Sequence, residues 1–182
     1  MSKLIKIFFY IILLFSTSLI AKEKYTFFGV TLNSTLPDSI NLTGESDFGR
    51  PYFEPKEKNK NFEKYFVELF PISKKVHAVW AVSNFDSVIY PSLAKCIESR
   101  DYYADFFKKK YQINNIEKIK NNEFNPIILT KEDGLKIVIE CPGKGQWMSI
   151  NFQDTSLYDE FNEEINQIKN KTLEEDNDTT GL

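Results

Sequence analysis

The chain has a single histidine, His77, and that scarcity excludes a good deal of chemistry. Zinc sites built on two or three histidines are ruled out, the H-E-x-x-H pattern among them. A Ser-His-Asp triad would have to recruit His77. That residue sits mid-strand in KVHAVWAV with no G-x-S-x-G elbow in the chain, and reads as an ordinary strand residue facing away from Trp80. Phosphate loops are missing as well. The G-K-G of CPGKGQW lacks the G-x-x-x-x-G-K-[ST] spacing and reads as a hairpin turn. DNDTTG near the C-terminus lacks the spaced ligands and terminal Glu of a calcium loop. There is no basic excess: the formal charge is −3, so nothing here would hold a nucleic-acid backbone. No cofactor is implied by any motif.

Long hydrophobic runs are scarce too. The one present, Ile7–Phe15, is nine residues, short of the roughly 20 needed to cross a bilayer. It follows Lys3 and Lys6 and precedes Ser16, Thr17, Ser18 and Ala21. Those three parts form the pattern of a secretory signal peptide over residues 1–21, cleaved after Ala21 or, alternatively, after Ser18. The expected product is an exported protein, periplasmic or secreted, of a bacterial source given the Lys, Asn, Ile and Phe bias, with no stable membrane anchor after cleavage. Removing 21 of 182 residues leaves 161, which suits a single domain over 22–170 and an acidic disordered tail over 171–182. The removed segment carries two lysines and no acid, so −3 becomes −5.

Two cysteines remain, Cys96 and Cys141, and export places them where paired thiols oxidise. Leu93, Cys96, Ile97, Tyr103, Ala104, Phe107 and Tyr111 follow the 3, 4, 7 spacing of one helix face. Leu135, Ile137, Ile139 and Cys141 alternate onto one face of a strand. Both cysteines thus lie on apolar faces that should pack together, which predicts a structural disulfide. A redox-active thiol would call for C-x-x-C or a low-pKa setting, and no second cysteine is close in sequence.

Element signals run along the rest of the chain. YTFFGVTL (25–32) reads as a first strand, and LPDSINL as a short helical turn. Residues 44–61 form a long Gly- and Pro-bearing connection, or contain a short strand near Tyr52 and Phe53. Segments 62–70 and 76–85 make a hairpin, 91–111 a helix, and NPIILT, LKIVIEC and WMSINF a three-stranded meander. Ser156 with Asp159 has capping-box spacing before a stripe of Leu157, Phe161, Ile165 and Ile168. The fold class is α+β: an antiparallel sheet, hairpin plus three-stranded meander, with two main helices packed on one face.

Alternation sends Trp147 to the face opposite Met148, Ile150 and Phe152, beside Lys136, Val138 and Glu140. A Trp on a polar sheet face is either a contact anchor or a lid-covered core residue packed under 44–61. The candidate binding surface is Trp147, Lys136 and Glu140 with Tyr52 and Phe53 from the long connection. The expected function is a non-enzymatic binding or interaction module of the cell envelope, with an envelope or extracellular protein as partner. The alternative is an envelope hydrolase using paired carboxylates, for which Glu54 with Glu57 and Asp101 with Asp105 are candidates.

Overall fold

The computed structural model describes residues 25–47, 49–84, 93–119, 124–142 and 147–179. The segment read as a signal peptide, 1–21, and the G-K-G turn lie outside these residues. Ten strands are described: β1 (Thr26–Phe27), β2 (Val30–Thr31), β3 (Leu42–Glu45), β4 (Pro51–Phe53), β5 (Lys64–Leu69), β6 (Val76–Asn84), β7 (Asn115–Lys118), β8 (Ile127–Thr130), β9 (Leu135–Glu140) and β10 (Trp147–Asp154). Helix α1 (Leu93–Tyr111) lies between β6 and β7. A 3-10 turn (Thr155–Leu157) leads into α2 (Tyr158–Thr179).

The α+β class holds, but the sheet is larger than a hairpin plus a meander. Eight strands form one antiparallel sheet in the order β3-β4-β5-β6-β10-β9-β8-β7. The two units merge because β10 pairs with β6, Phe152 opposite Val79 and Asn151 opposite Trp80. The additional strands β3 and β7 are short and mostly polar (LTGE, NIEK), so they carry almost no alternation signal, and β4 (PYF) is the short strand offered as the alternative near Tyr52 and Phe53. The first segment is two strands rather than one: it folds back on itself at Phe28–Gly29, pairing Phe27 with Val30. LPDSINL forms only a turn, Ile40 N–H donating to the Pro37 carbonyl at 2.9 Å.

Each face of the sheet is a set of cross-strand rows. On the near face, Val67, Val79, Phe152, Ile137, Leu129 and Ile116 stand opposite one another in turn, and so do Tyr65, Ala81, Ile150, Ile139 and Ile127. Most of these side chains are fully buried. Helix α1 covers them with Cys96, Tyr103, Ala104 and Phe107, the stripe expected from its spacing. Lys108, Lys109 and Lys110 complement the negative end of its dipole. Arg100, which breaks that stripe, donates to the Asp101 carboxylate at 2.7 and 2.9 Å and to the Asn125 carbonyl. The sulfurs of Cys96 and Cys141 are at disulfide distance, with Cα atoms 6.0 Å apart.

Helix α2 does not share that face. Among the described residues, the near-face core contains none from α2. Instead Phe161 lies flat on His77 at 4.1 Å and edge-on to Phe70 at 5.3 Å. Glu164 accepts from the backbone N–H groups of Ile72 (2.7 Å) and Ser73 (3.1 Å), and Glu160 pairs with Lys75 at 3.0 Å. The helix is clasped to the β5–β6 turn on the far side of the sheet. The 3-10 turn ahead of it is capped by Asp154, whose carboxylate accepts from Ser156 N–H at 3.1 Å and from its hydroxyl at 2.6 Å. Gly134 makes room for this cap, since a Cβ there would stand 2.8 Å from Asp154 Oδ1. The helix continues to Thr179, into the segment expected to be a disordered tail. Residues such as Leu173, Glu174 and Glu175 are good helix formers and propagate a helix already nucleated by packing.

Candidate functional site

The far face begins with a row that the register writes out directly: Tyr52, Phe66, Trp80, Asn151 and Val138 stand opposite one another on β4, β5, β6, β10 and β9. Lys64, Val82, Ser149 and Glu140 form the next row on one side. Trp147 lies one step beyond Ser149 on the same face, and is 41% exposed. Together with Phe124 (38% exposed) and Pro142 it edges a groove of about 480 Å³ floored by Phe66, Trp80 and Val82. Tyr52 packs on Phe66, centroids 4.5 Å apart. Ser149 donates to Glu140 at 2.8 Å. Asn151 Oδ1 is buried in the middle of the aromatic row, between Trp80 and Val138, with no partner among the described residues.

Trp147, Glu140 and Tyr52 therefore meet in one groove, as their alternation implies. Lys136 shares the face but stands opposite Gln153. Four residues along β9 from Glu140, it is about 13 Å away at strand rise, and does not line the groove. Phe53 is a correction. It is 3% exposed and packs at 5.8 Å on Tyr65, in the near-face core. Tyr52 and Phe53 are neighbours in a strand, so they point to opposite faces, and only one can border the groove. Arg50, Phe66, Trp80 and Phe124 were missed. Phe66 and Trp80 alternate against their core neighbours, so their face was legible, but their meeting depends on register.

The groove floor is connected to α2 through a chain of side chains. The Arg50 guanidinium lies 4.4 Å over the Trp80 ring and 3.5 Å from Glu68 Oε1. His77 Nδ1 donates to Glu68 Oε2 at 2.8 Å, and its ring carries Phe161. His77 is thus no ordinary strand residue: it is 3% exposed, and its Nε2 is buried without a partner among the described residues. Parity puts it on the wrong face because of a β-bulge. Ala78 pairs with Glu68 and Val76 with Leu69, which leaves His77 as the extra residue and turns it toward Glu68 and α2.

Burial pushes the Glu68 carboxyl up, but the hydrogen bond from His77, its attraction and the nearby Arg50 outweigh that and hold it below the usual carboxylate range. A depressed carboxylate contributes stability that is present above its unfolded value near 4.5 and lost as pH falls through the lower folded value. Glu68→Gln should therefore flatten the acid limb. The difference in Tm between pH 6 and pH 3, followed by circular dichroism, is expected to be smaller in the variant than in the parent. Equal differences would mean that the pair contributes nothing to acid stability.

A second cavity lies on the near side. A cleft of about 720 Å³ opens between the β1–β2 turn, residues 56–62 and α1. The long connection thus divides: Asp47, Arg50 and Tyr52 border the far-face groove, whereas Lys56, Glu57, Lys58, Asn59 and Asn61 border the α1 cleft. The carboxylates weighed for hydrolysis lie on the long connection and on α1. Glu54 pairs with Lys58 at 3.2 Å, Asp101 is held by Arg100, Glu57 lines the α1 cleft, and Asp105 is exposed on α1. Among the described residues no group of three or more His, Cys, Asp or Glu side chains is placed to hold a metal ion. No family model, curated protein or solved structure compared with this chain matches it.

Proposed function

We propose that the chain is an exported, non-enzymatic binding module that receives its partner, an envelope or extracellular protein, on the far sheet face. The observation that carries this reading is the aromatic row Tyr52–Phe66–Trp80 running into a groove edged by half-exposed Trp147 and Phe124. Binding energy at protein interfaces concentrates in such aromatic anchors, set in pockets and bordered by polar groups. Lys64, Glu140 and Ser149 supply that polar border. A cysteine pair at disulfide distance fits an oxidising compartment.

Trp147→Ala tests the reading. Truncating a hot-spot aromatic costs about 2 kcal/mol or more of binding, so partner capture from an envelope extract should fall at least roughly 30-fold in affinity, while Tm stays close to the parent value. Capture by the Trp147→Ala variant equal to that of the parent would remove the far face from consideration. A large fall in Tm would mean that Trp147 is part of the core.

A further inference from the structure

The α1 cleft has three properties that the far-face reading does not use. Its walls are unusually aromatic: Phe28, Phe62, Tyr102, Phe106 and Tyr111 line it, and at its floor it reaches Phe152. Tyr102 and Phe106 are 65% and 46% exposed. With Lys110 they repeat at i, i+4 and i+8, a second stripe on α1 beside the one that packs on the sheet.

The second property is strain. The β1–β2 turn has φ of +54° at Phe28 and +82° at Gly29. A two-residue hairpin turn with positive φ at both positions favours Asn-Gly, because a bulky side chain in the left-handed region meets its own backbone. Phenylalanine is a poor residue for the turn, yet it puts a ring into the cleft, 4.9 Å from Tyr65 and 6.0 Å from both Phe62 and Phe152. Strain of this kind clusters at ligand clamps.

The third is charge. In a chain of net −3, this cleft is lined by Lys56, Lys58 and Lys110 against the single acid Glu57. Lys58 also meets Glu54 at the surface, 3.2 Å away, and Lys110 lies over the rings of Phe106 and Tyr111.

We propose that the α1 cleft binds an amphiphilic anion: an acyl or aromatic body against Phe28, Tyr102 and Phe106, and a carboxylate, sulfate or phosphate head at the lysines. Apolar walls with a few converging charges are the make-up of a small-molecule site. The polarity follows from the lysines, which attract an anionic head and repel a cationic one of the same chain length.

Calorimetric titration of the purified protein with sodium dodecanoate and with dodecyltrimethylammonium, both below micelle formation, tests this. Saturable binding of dodecanoate, at least tenfold tighter than the cation, is expected. The triple variant Lys56→Gln, Lys58→Gln, Lys110→Gln should weaken dodecanoate at least tenfold and leave dodecanol binding unchanged. Phe106→Ser should weaken dodecanoate and dodecanol alike. Trp147→Ala should alter neither, which separates this site from the far-face groove. Lysine-dependent retention on phosphatidylglycerol vesicles assigns the anion to a bilayer, and binding of free dodecanoate without such retention assigns it to a soluble amphiphile. Equal affinity for anion and cation, a triple variant that binds like the parent, or no saturable binding of dodecanoate overturns the proposal.

Discussion

Replacing Cys96 and Cys141 together by serine is expected to lower the unfolding free energy by about 4 kcal/mol on the chain-entropy account of a crosslink. The two positions are 45 residues apart in sequence, with side chains fully buried. In a domain of this size the loss corresponds to a fall in Tm of about 8–16 °C. Adding a reductant to the parent protein should bring its Tm down toward that of the double variant. The consequence reaches both cavities. Cys96 ties the first turns of α1, which carries Tyr102 and Phe106, to the end of β9, six residues before Trp147. Two free thiols in protein taken from its native compartment, or a double variant that melts with the parent, would show that the crosslink does not brace the fold.

Phe152→Ala should be comparably severe, at about 3–5 kcal/mol for a fully buried phenylalanine. The ring is inaccessible to solvent and joins three elements. It stacks on Phe27 of β1 at 3.8 Å, meets Phe107 of α1 edge-on at 5.2 Å and lies 6.0 Å from Phe28. Truncation opens a cavity where the hairpin, the helix and the sheet converge, and neighbours so tightly interlocked cannot collapse into it. Denaturant unfolding should show a lower midpoint with little change in slope. Asn151→Ala, one residue away and facing the other side, provides the contrast. It removes a buried oxygen that has no partner among the described residues, so its stability should differ from the parent by a small fraction of the Phe152 effect. Similar losses at both positions would contradict the division of β10 into a packed face and an open one.

Alternation in the sequence already divided that strand. Met148, Ile150 and Phe152 are buried and Trp147 is half-exposed, because side chains on a pleated strand change face at every residue whatever its neighbours are. The same local geometry made the α1 stripe legible and put both cysteines on inward faces, so their approach followed from two independent patterns. It also identified Trp147 and Glu140 as companions on one face. Local pattern stops at the boundary of the element, however. That β10 lies between β6 and β9 depends on which strand edges pair across 63 or more residues, and each edge offers the same hydrogen-bonding groups to any partner. The row from Tyr52 through Trp80 to Asn151 exists only once that pairing is made.

Period-two reasoning failed where the period itself breaks. The bulge opposite Glu68–Leu69 adds one residue to β6, which reversed the expected direction of His77 and gave α2 a ring to rest on. Tyr52 and Phe53 were grouped as neighbours in a segment read as a long connection or a short strand, and the strand β4 makes them opposites by its pleat. Asp154 caps the 3-10 turn ahead of α2 by accepting from Ser156 N–H, a contact that no spacing rule had pointed to. The sequence alone determined which side chains face inward within each element, since burial repeats with the backbone's own period. Tertiary structure decided which elements adjoin, where that period slips and which aromatic side chains share a groove, because these depend on contacts between residues that no local repeat connects.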